Sequence, residues 1–108
     1  MTKALQILGL ARRAGAVAPG TTATRRSISQ GEARVVLMAE DASSAQLDKI
    51  RRTMRKRIIP QVLLGDRATL GAAIGKAPIT AVAVTDASLA GRLLESIDGE
   101  IMVDEGRD

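Results

Sequence analysis

The sequence predicts an α/β domain, one sheet with helices packed on both of its faces. Three observations carry this. Arg34–Ala39 and Ile79–Val84 are continuous apolar runs bounded by polar residues, the pattern of strands buried on both sides. Segments with apolar residues three and four apart alternate with them along the chain. Gly and Pro punctuate most changes of pattern. Helix and strand in alternation place the sheet between helical layers.

Taken in order, Thr2 is placed to cap a first helix whose inward stripe is Ala4, Leu5, Ile7, Leu8 and Ala11, with Gly15 as its stop. Arg12 and Arg13 fall in its last turn, where cations suit the negative end of the helix dipole; phosphate contact is the other reading of the pair. Ala16–Ala18 reads as a very short strand entering the Pro19-Gly20 turn. From Thr21, read as a cap, to Gly31, read as a stop, runs about three turns of helix in which only Ala23 and Ile28 are apolar. The buried strand Arg34–Ala39 then exits into Glu40-Asp41-Ala42, and Ser43 or Ser44 caps the next helix. That helix extends to Arg57, with Leu47, Ile50, Met54 and Ile58 at burial spacing.

Ile58–Leu64 reads as a strand opened by Pro60 and therefore not an interior one. Gly65 turns the chain and Asp66 caps a short helix, Arg67–Ile74, that ends at Gly75. Gly71 and Gly75, four residues apart, permit close packing there. Lys76-Ala77-Pro78 is a tight loop before the strand Ile79–Val84. Asp86 caps a last helix with Leu89, Leu93, Leu94 and Ile97 inward. Gly99 is read as its stop and the weak alternation of Glu100–Asp104 as an edge strand. The expected organisation is one domain over residues 1–97 and an acidic C-terminal strand or tail over 98–108.

Composition narrows the function by exclusion. The chain has no His and no Cys, which rules out zinc fingers, thiol chemistry and His general-base catalysis; no metal or cofactor is expected. It has no Phe, Tyr or Trp, so single-stranded nucleic acid cannot be held on stacked rings. No eighteen-residue apolar run and no signal-peptide pattern occur, so a cytoplasmic protein without a membrane partner is expected. The net charge of +4 is unevenly spread: fifteen Lys and Arg stand against seven acids in the first 97 residues, leaving +8. A body so basic favours polyanions.

Where the polyanion would sit is indicated by the helix after Gly20. Its N-terminus offers backbone N–H groups at Thr21, Thr22 and Ala23, flanked by Arg25 and Arg26, and such an end attracts anions. The loop at Glu40 and Asp41 follows the carboxyl end of a buried strand, a usual position for a site; helix capping and hydrogen bonding to bases are both compatible with its two acids. Between Lys49 and Arg57 lie six cations: Lys49, Arg51, Arg52, Arg55, Lys56 and Arg57. A solvated helix face is one reading. Secondary contact of Lys49, Arg52, Arg55 and Lys56 with an RNA backbone is the other, because same-sign i,i+4 pairs repel by about 0.2–0.5 kcal/mol each.

Five motifs occur in register: Leu8-Gly9-Leu10-Ala11-Arg12-Arg13-Ala14-Gly15, the Gly20-opened helix, Ala39-Glu40-Asp41-Ala42-Ser43, Leu70-Gly71 through Ile74-Gly75-Lys76, and Val82-Ala83-Val84-Thr85-Asp86. In this the chain resembles the kink-turn-binding ribosomal-protein family of the L7Ae and L30e type, most closely its bacterial YlxQ-like branch, over about residues 3–95. The resemblance implies a three-layer α-β-α sandwich with a mixed four-stranded sheet, no catalysis, and binding of structured RNA, often within ribosomal particles. It implies three RNA-gripping segments: Gly20 through Arg26, the loop at Glu40 and Asp41, and the loop Lys76, Ala77, Pro78 and Ile79. The family's Asn and Glu in the first segment are Thr22 and Ala23 here. Thr22 keeps one hydroxyl and Ala23 no polar group, so two base contacts worth ~1–3 kcal/mol each are missing.

The expectation is a non-enzymatic protein, monomeric when free, that binds structured and ribosomal-type RNA and takes no small-molecule substrate. An assembly module that has lost specific RNA contacts is the alternative, and Thr22 and Ala23 favour it. An enzyme is the third reading. Asp41, Asp86 and Lys76 are acid/base groups, but no nucleophile–base pair is visible.

Overall fold

The computed structural model describes residues 2–105. In chain order they form α1 (Thr2–Arg13), β1 (Val17–Pro19), α2 (Thr21–Ser29), β2 (Val35–Met38), α3 (Ser44–Thr53) with a 3-10 turn at Met54–Lys56, β3 (Gln61–Leu63), α4 (Arg67–Ala73), β4 (Ala81–Val84) and α5 (Ala87–Glu105). The sheet has four strands in the order β1-β4-β2-β3. β4 is antiparallel to both neighbours and β2 is parallel to β3, so the sheet is mixed. β3, with its opening Pro60, is an edge strand as the proline requires.

β2 and β4 are buried along their whole length because their alternate residues serve two separate cores. Val35, Leu37, Val82 and Val84 pack against Ala4, Leu8 and Ala11 of α1, Leu70 of α4 and Leu93 of α5. Val36, Met38, Ala81 and Ala83 pack against Ile28 of α2 and Leu47 and Ile50 of α3. Helices thus cover both faces in three layers.

Three local expectations change. First, α2 is not capped by Thr21. Gly20 is its N-cap and no side chain caps it. Second, Ile58 does not extend the buried stripe of α3; its side chain is fully exposed, at 105%. The helix tightens to a 3-10 turn after Thr53, and Arg57 is already extended (φ −138°, ψ 136°), with Pro60 following shortly. Third, Gly99 does not stop the last helix. α5 continues to Glu105, so Glu100–Asp104 are helical rather than an edge strand. A single interior glycine costs a helix only about 1 kcal/mol relative to Ala.

Candidate nucleic-acid interface

Strand directions bring the three expected segments to one end of the sheet. β1 ends at Pro19, β2 ends at Met38 and β4 begins at Ala81, and the register pairs Pro19 with Val82 and Met38 with Ala81. The segments that continue these strands are tied together by backbone hydrogen bonds. Gly20 N–H donates to the Ala81 carbonyl at 2.8 Å, and Ala39 N–H donates to the Thr80 carbonyl at 2.8 Å. The α2 N-terminus, the Glu40–Asp41 loop and the Lys76–Ile79 loop are therefore neighbours.

Gly20 sits at φ 92° and ψ 165°, a conformation open to Gly and closed to residues with a β-carbon. Its carbonyl accepts the Thr24 N–H at 2.9 Å, the first bond of the helix. The N–H groups of Thr21, Thr22 and Ala23 precede that bond and have no intrahelical acceptor. Thr22 is exposed and Thr21 and Ala23 are half-buried, so this end is open to a ligand. α2 is anchored beneath by Ile28 and by two buried polar residues, Thr24 and Ser27. Thr24 Oγ1 donates to the Ala18 carbonyl at 3.2 Å, whereas Ser27 Oγ is buried without a partner among the described residues.

The two arginines of α2 differ. Arg25 Nε donates to Thr53 Oγ1 at 2.9 Å, which directs its guanidinium across to the end of α3. Arg26, one turn inside the helix, is exposed and its side chain makes no hydrogen bond or ion pair among the described residues.

The two acids of the second segment also differ. Asp41 Oδ1 accepts the Arg67 N–H at 2.9 Å, and its Oδ2 lies 3.6 Å from Arg67 Nε. Asp41 therefore satisfies a first-turn N–H of α4, whose N-cap is Asp66, and does not cap α3, whose N-cap is Ser43. Glu40 points no bond of this kind at a neighbour among the described residues; its backbone N–H donates to the Gly65 carbonyl at 2.8 Å. The Arg67 carbonyl in turn accepts the Ile79 N–H at 3.1 Å, so Arg67 joins the second segment to the third. Within the third, Lys76, Ala77 and Pro78 are exposed while Ile79 packs on the core.

α2 and α3 run side by side in the same direction. Arg25 bonds Thr53, and Ser29 O accepts from Arg57 Nη2 at 3.1 Å; each pair is 28 residues apart, so the helices advance in step. Lys49, one turn before Thr53, is thereby level with Thr21. Arg52, Arg55 and Lys56 continue the cationic line away from it. Arg13, at the end of α1, lines a groove with Arg12 and with Ala73, Ile74 and Gly75 at the end of α4, beside the start of the Lys76–Ile79 loop and away from the Gly20 helix end. Among the described residues no group of three or more acidic side chains is arranged to hold a metal, and no helix is long and apolar enough to cross a membrane.

The profile of the ribosomal protein L7Ae/L30e/S12e/Gadd45 family matches residues 2–93. The chain belongs to this family. It is 37% identical over 92 residues to the RNA-binding protein YlxQ of Bacillus subtilis, spanning 85% of this chain and 92% of that one. It is 29% identical over 96 residues to the large ribosomal subunit protein eL8 of Thermoplasma volcanium, spanning 88% and 79% of the two. A Bacillus halodurans protein of unknown function superimposes with a TM-score of 0.84 at 31% identity, over 91% of this chain and 99% of that one. The Giardia lamblia 15.5kD RNA binding protein shares the fold, with a TM-score of 0.71 at 18% identity over 92% and 84%.

The family was legible in the sequence, but two contacts that sort the side chains of these segments were not. Asp41 meets Arg67 from 26 residues away and Arg25 meets Thr53 from 28. No local pattern signals either. What was visible in the sequence was only that each residue is polar and lies near a helix end.

Proposed function

We propose that this protein binds structured RNA, of kink-turn or ribosomal type, through the α2 N-terminus and the two loops beside it, without catalysis. The observation that carries the reading is the convergence of an uncapped, Gly20-opened helix end with two loops at one end of the sheet, in a basic body. Backbone amides at Thr21–Ala23 supply donors to a phosphate or a base edge. Arg26 supplies a fork that matches guanine O6 and N7. Pairing of Asp41 with Arg67 removes one of two repulsive charges from the phosphate's path. The names of the Bacillus subtilis and Thermoplasma volcanium relatives, an RNA-binding protein and a ribosomal protein, support the same class of ligand. Lys76–Ile79 and Glu40 border the site, and Lys49 extends it along α3.

Gel-shift titration against a kinked RNA, its unkinked mutant and a plain duplex tests this. Affinity is expected to fall with salt by about 0.9 log units per log unit of salt for each phosphate neutralised. Arg26→Ala is expected to weaken the kinked RNA more than the duplex. A salt-independent signal defeats RNA binding, and equal affinity for all three RNAs defeats the structured site. Thr22 and Ala23 favour a second reading, an assembly module, which capture of a protein partner after nuclease treatment would support.

A further inference from the structure

We propose that RNA engaged at the Gly20 end is held at a second point, on the opposite end of the sheet, where the backbone of a duplex arm crosses a cationic groove. The inference rests on the RNA reading above and concerns a different surface. The groove is lined by Gly31, Ala33, Arg34, Lys56, Arg57 and Ile58 with Ile59, and has a volume of ≈ 280 Å³. It lies at the far end because Arg34 leads into β2, and its N–H donates at 2.8 Å to the carbonyl of Val84, the last residue of β4.

Three features make it a backbone site. First, it is built: Arg57 Nη2 donates to the Ser29 carbonyl at 3.1 Å, and the guanidinium lies against Gly31, where a β-carbon would stand 3.1 Å from Nη1. An arginine already held in place loses less freedom when it binds a phosphate. Second, its charge is uncompensated. Residues 21–34 and 44–59 contain nine Lys and Arg against two acids, Glu32 and Asp48, and no ion pair forms within these segments. Third, Ile58 stands fully exposed among these cations. A lone apolar side chain in a cationic groove suits the face of a ribose more than it suits solvent.

Continuity with the Gly20 end argues for one polyanion spanning both. α2 and α3 advance in step from one end to the other, and Lys49, Arg52, Arg55 and Lys56 lie along the way. From Gly20 to Gly31 the path is about 16 Å at 1.5 Å per residue. An A-form RNA duplex rises less per base pair than the ~3.4 Å of B-form DNA, so it covers that path with more than about five base pairs.

The test is a two-by-two cycle on the full chain. One RNA carries a bend and an arm of about ten base pairs, and the other the same bend with the arm cut to about three. Each is titrated with wild type and with the Arg34→Gln/Lys56→Gln variant, whose altered side chains make no hydrogen bond among the described residues and are exposed. Unchanged denaturant midpoints verify the fold. Wild type is expected to bind the long-armed RNA about tenfold tighter than the short-armed one, and the variant to lose that preference and about two units of salt slope. Binding that ignores both arm length and the variant overturns the second anchor while leaving the Gly20 site intact. Failure of wild type to bind either RNA overturns the primary reading, and with it this one.

Discussion

Gly71 of α4 is pressed against the carbonyl of Ala77: a β-carbon on Gly71 would stand 2.7 Å from the Ala77 carbonyl carbon and 2.9 Å from the Lys76 oxygen. The Lys76 N–H closes the contact by donating to the Gly71 carbonyl at 2.8 Å. The Lys76–Ile79 loop is therefore seated on bare helix backbone. Gly71→Ala is expected to cost about 1–3 kcal/mol, the usual price of overpacking, and to lift that loop. Chemical denaturation measures the first effect; amide exchange at Lys76 and Ile79 measures the second. A variant as stable as wild type would show that the loop moves aside freely.

Gly20 and Gly91 are expected to respond to alanine with opposite signs. Neither substitution meets a neighbouring atom within 4 Å. At Gly20 the strain is in the backbone itself, at φ 92°, and Gly20→Ala is expected to cost about 1–3 kcal/mol. Gly91 is exposed in the body of α5, so Gly91→Ala is expected to stabilise by about 0.5–1 kcal/mol. Paired denaturant midpoints check both.

Ile50 and Ile58 are the same residue type in opposite settings, fully buried and fully exposed. Ile50→Ala is expected to cost about 2–5 kcal/mol. Ile58→Ser should stay within about 0.5 kcal/mol of wild type. A large loss at Ile58 would mean that α3 continues through it after all.

Asp66 caps α4, and hydrogen bonds from the Thr69 hydroxyl and from the Thr69 N–H, the latter at 2.7 Å, hold its carboxyl below the ordinary value. A carboxyl lowered on folding contributes stability that is complete above its unfolded value and is lost as pH falls through its folded value. The advantage of wild type over Asp66→Asn is therefore expected near neutrality and to shrink below about pH 4. Denaturant midpoints from about pH 7 to about pH 2.5 give the comparison. A difference that is constant with pH would assign the cap to the oxygen alone, not to its charge.

Arg25 and Arg26 are adjacent, yet their alanine variants should separate stability from binding. Arg25→Ala removes the bond to Thr53 and is expected to cost about 0.5–1.5 kcal/mol of stability. Arg26→Ala removes no bond found among the described residues, and is expected to cost ~1–3 kcal/mol of binding to kinked RNA at unchanged stability. Thermal melts and gel shifts on the two variants decide it; equal binding losses would place both guanidiniums on the RNA.

These contrasts mark what can be read from one chain. Both central strands were legible because Val35–Met38 and Ala81–Val84 are apolar at every position, a pattern that only two-sided burial explains. The ends of α1 and α4 were legible because glycine stands there. Ile58 was misleading: it lies four residues after Met54, at helical spacing, yet the turn at Met54–Lys56 had already spent the helix. The Gly99 stop failed similarly, since a glycine permits an end without requiring one. Of the candidate site, the segments were legible and the side-chain roles were not. Whether Asp41 faces a ligand or Arg67 depends on contacts across the sheet, which adjacent residues do not encode.

The bare side chain of Ile58 has an optical consequence. The protein contains no ring that fluoresces, so a single indole placed there by Ile58→Trp would be the sole emitter. Its colour and quenching would report events in that groove against a dark background.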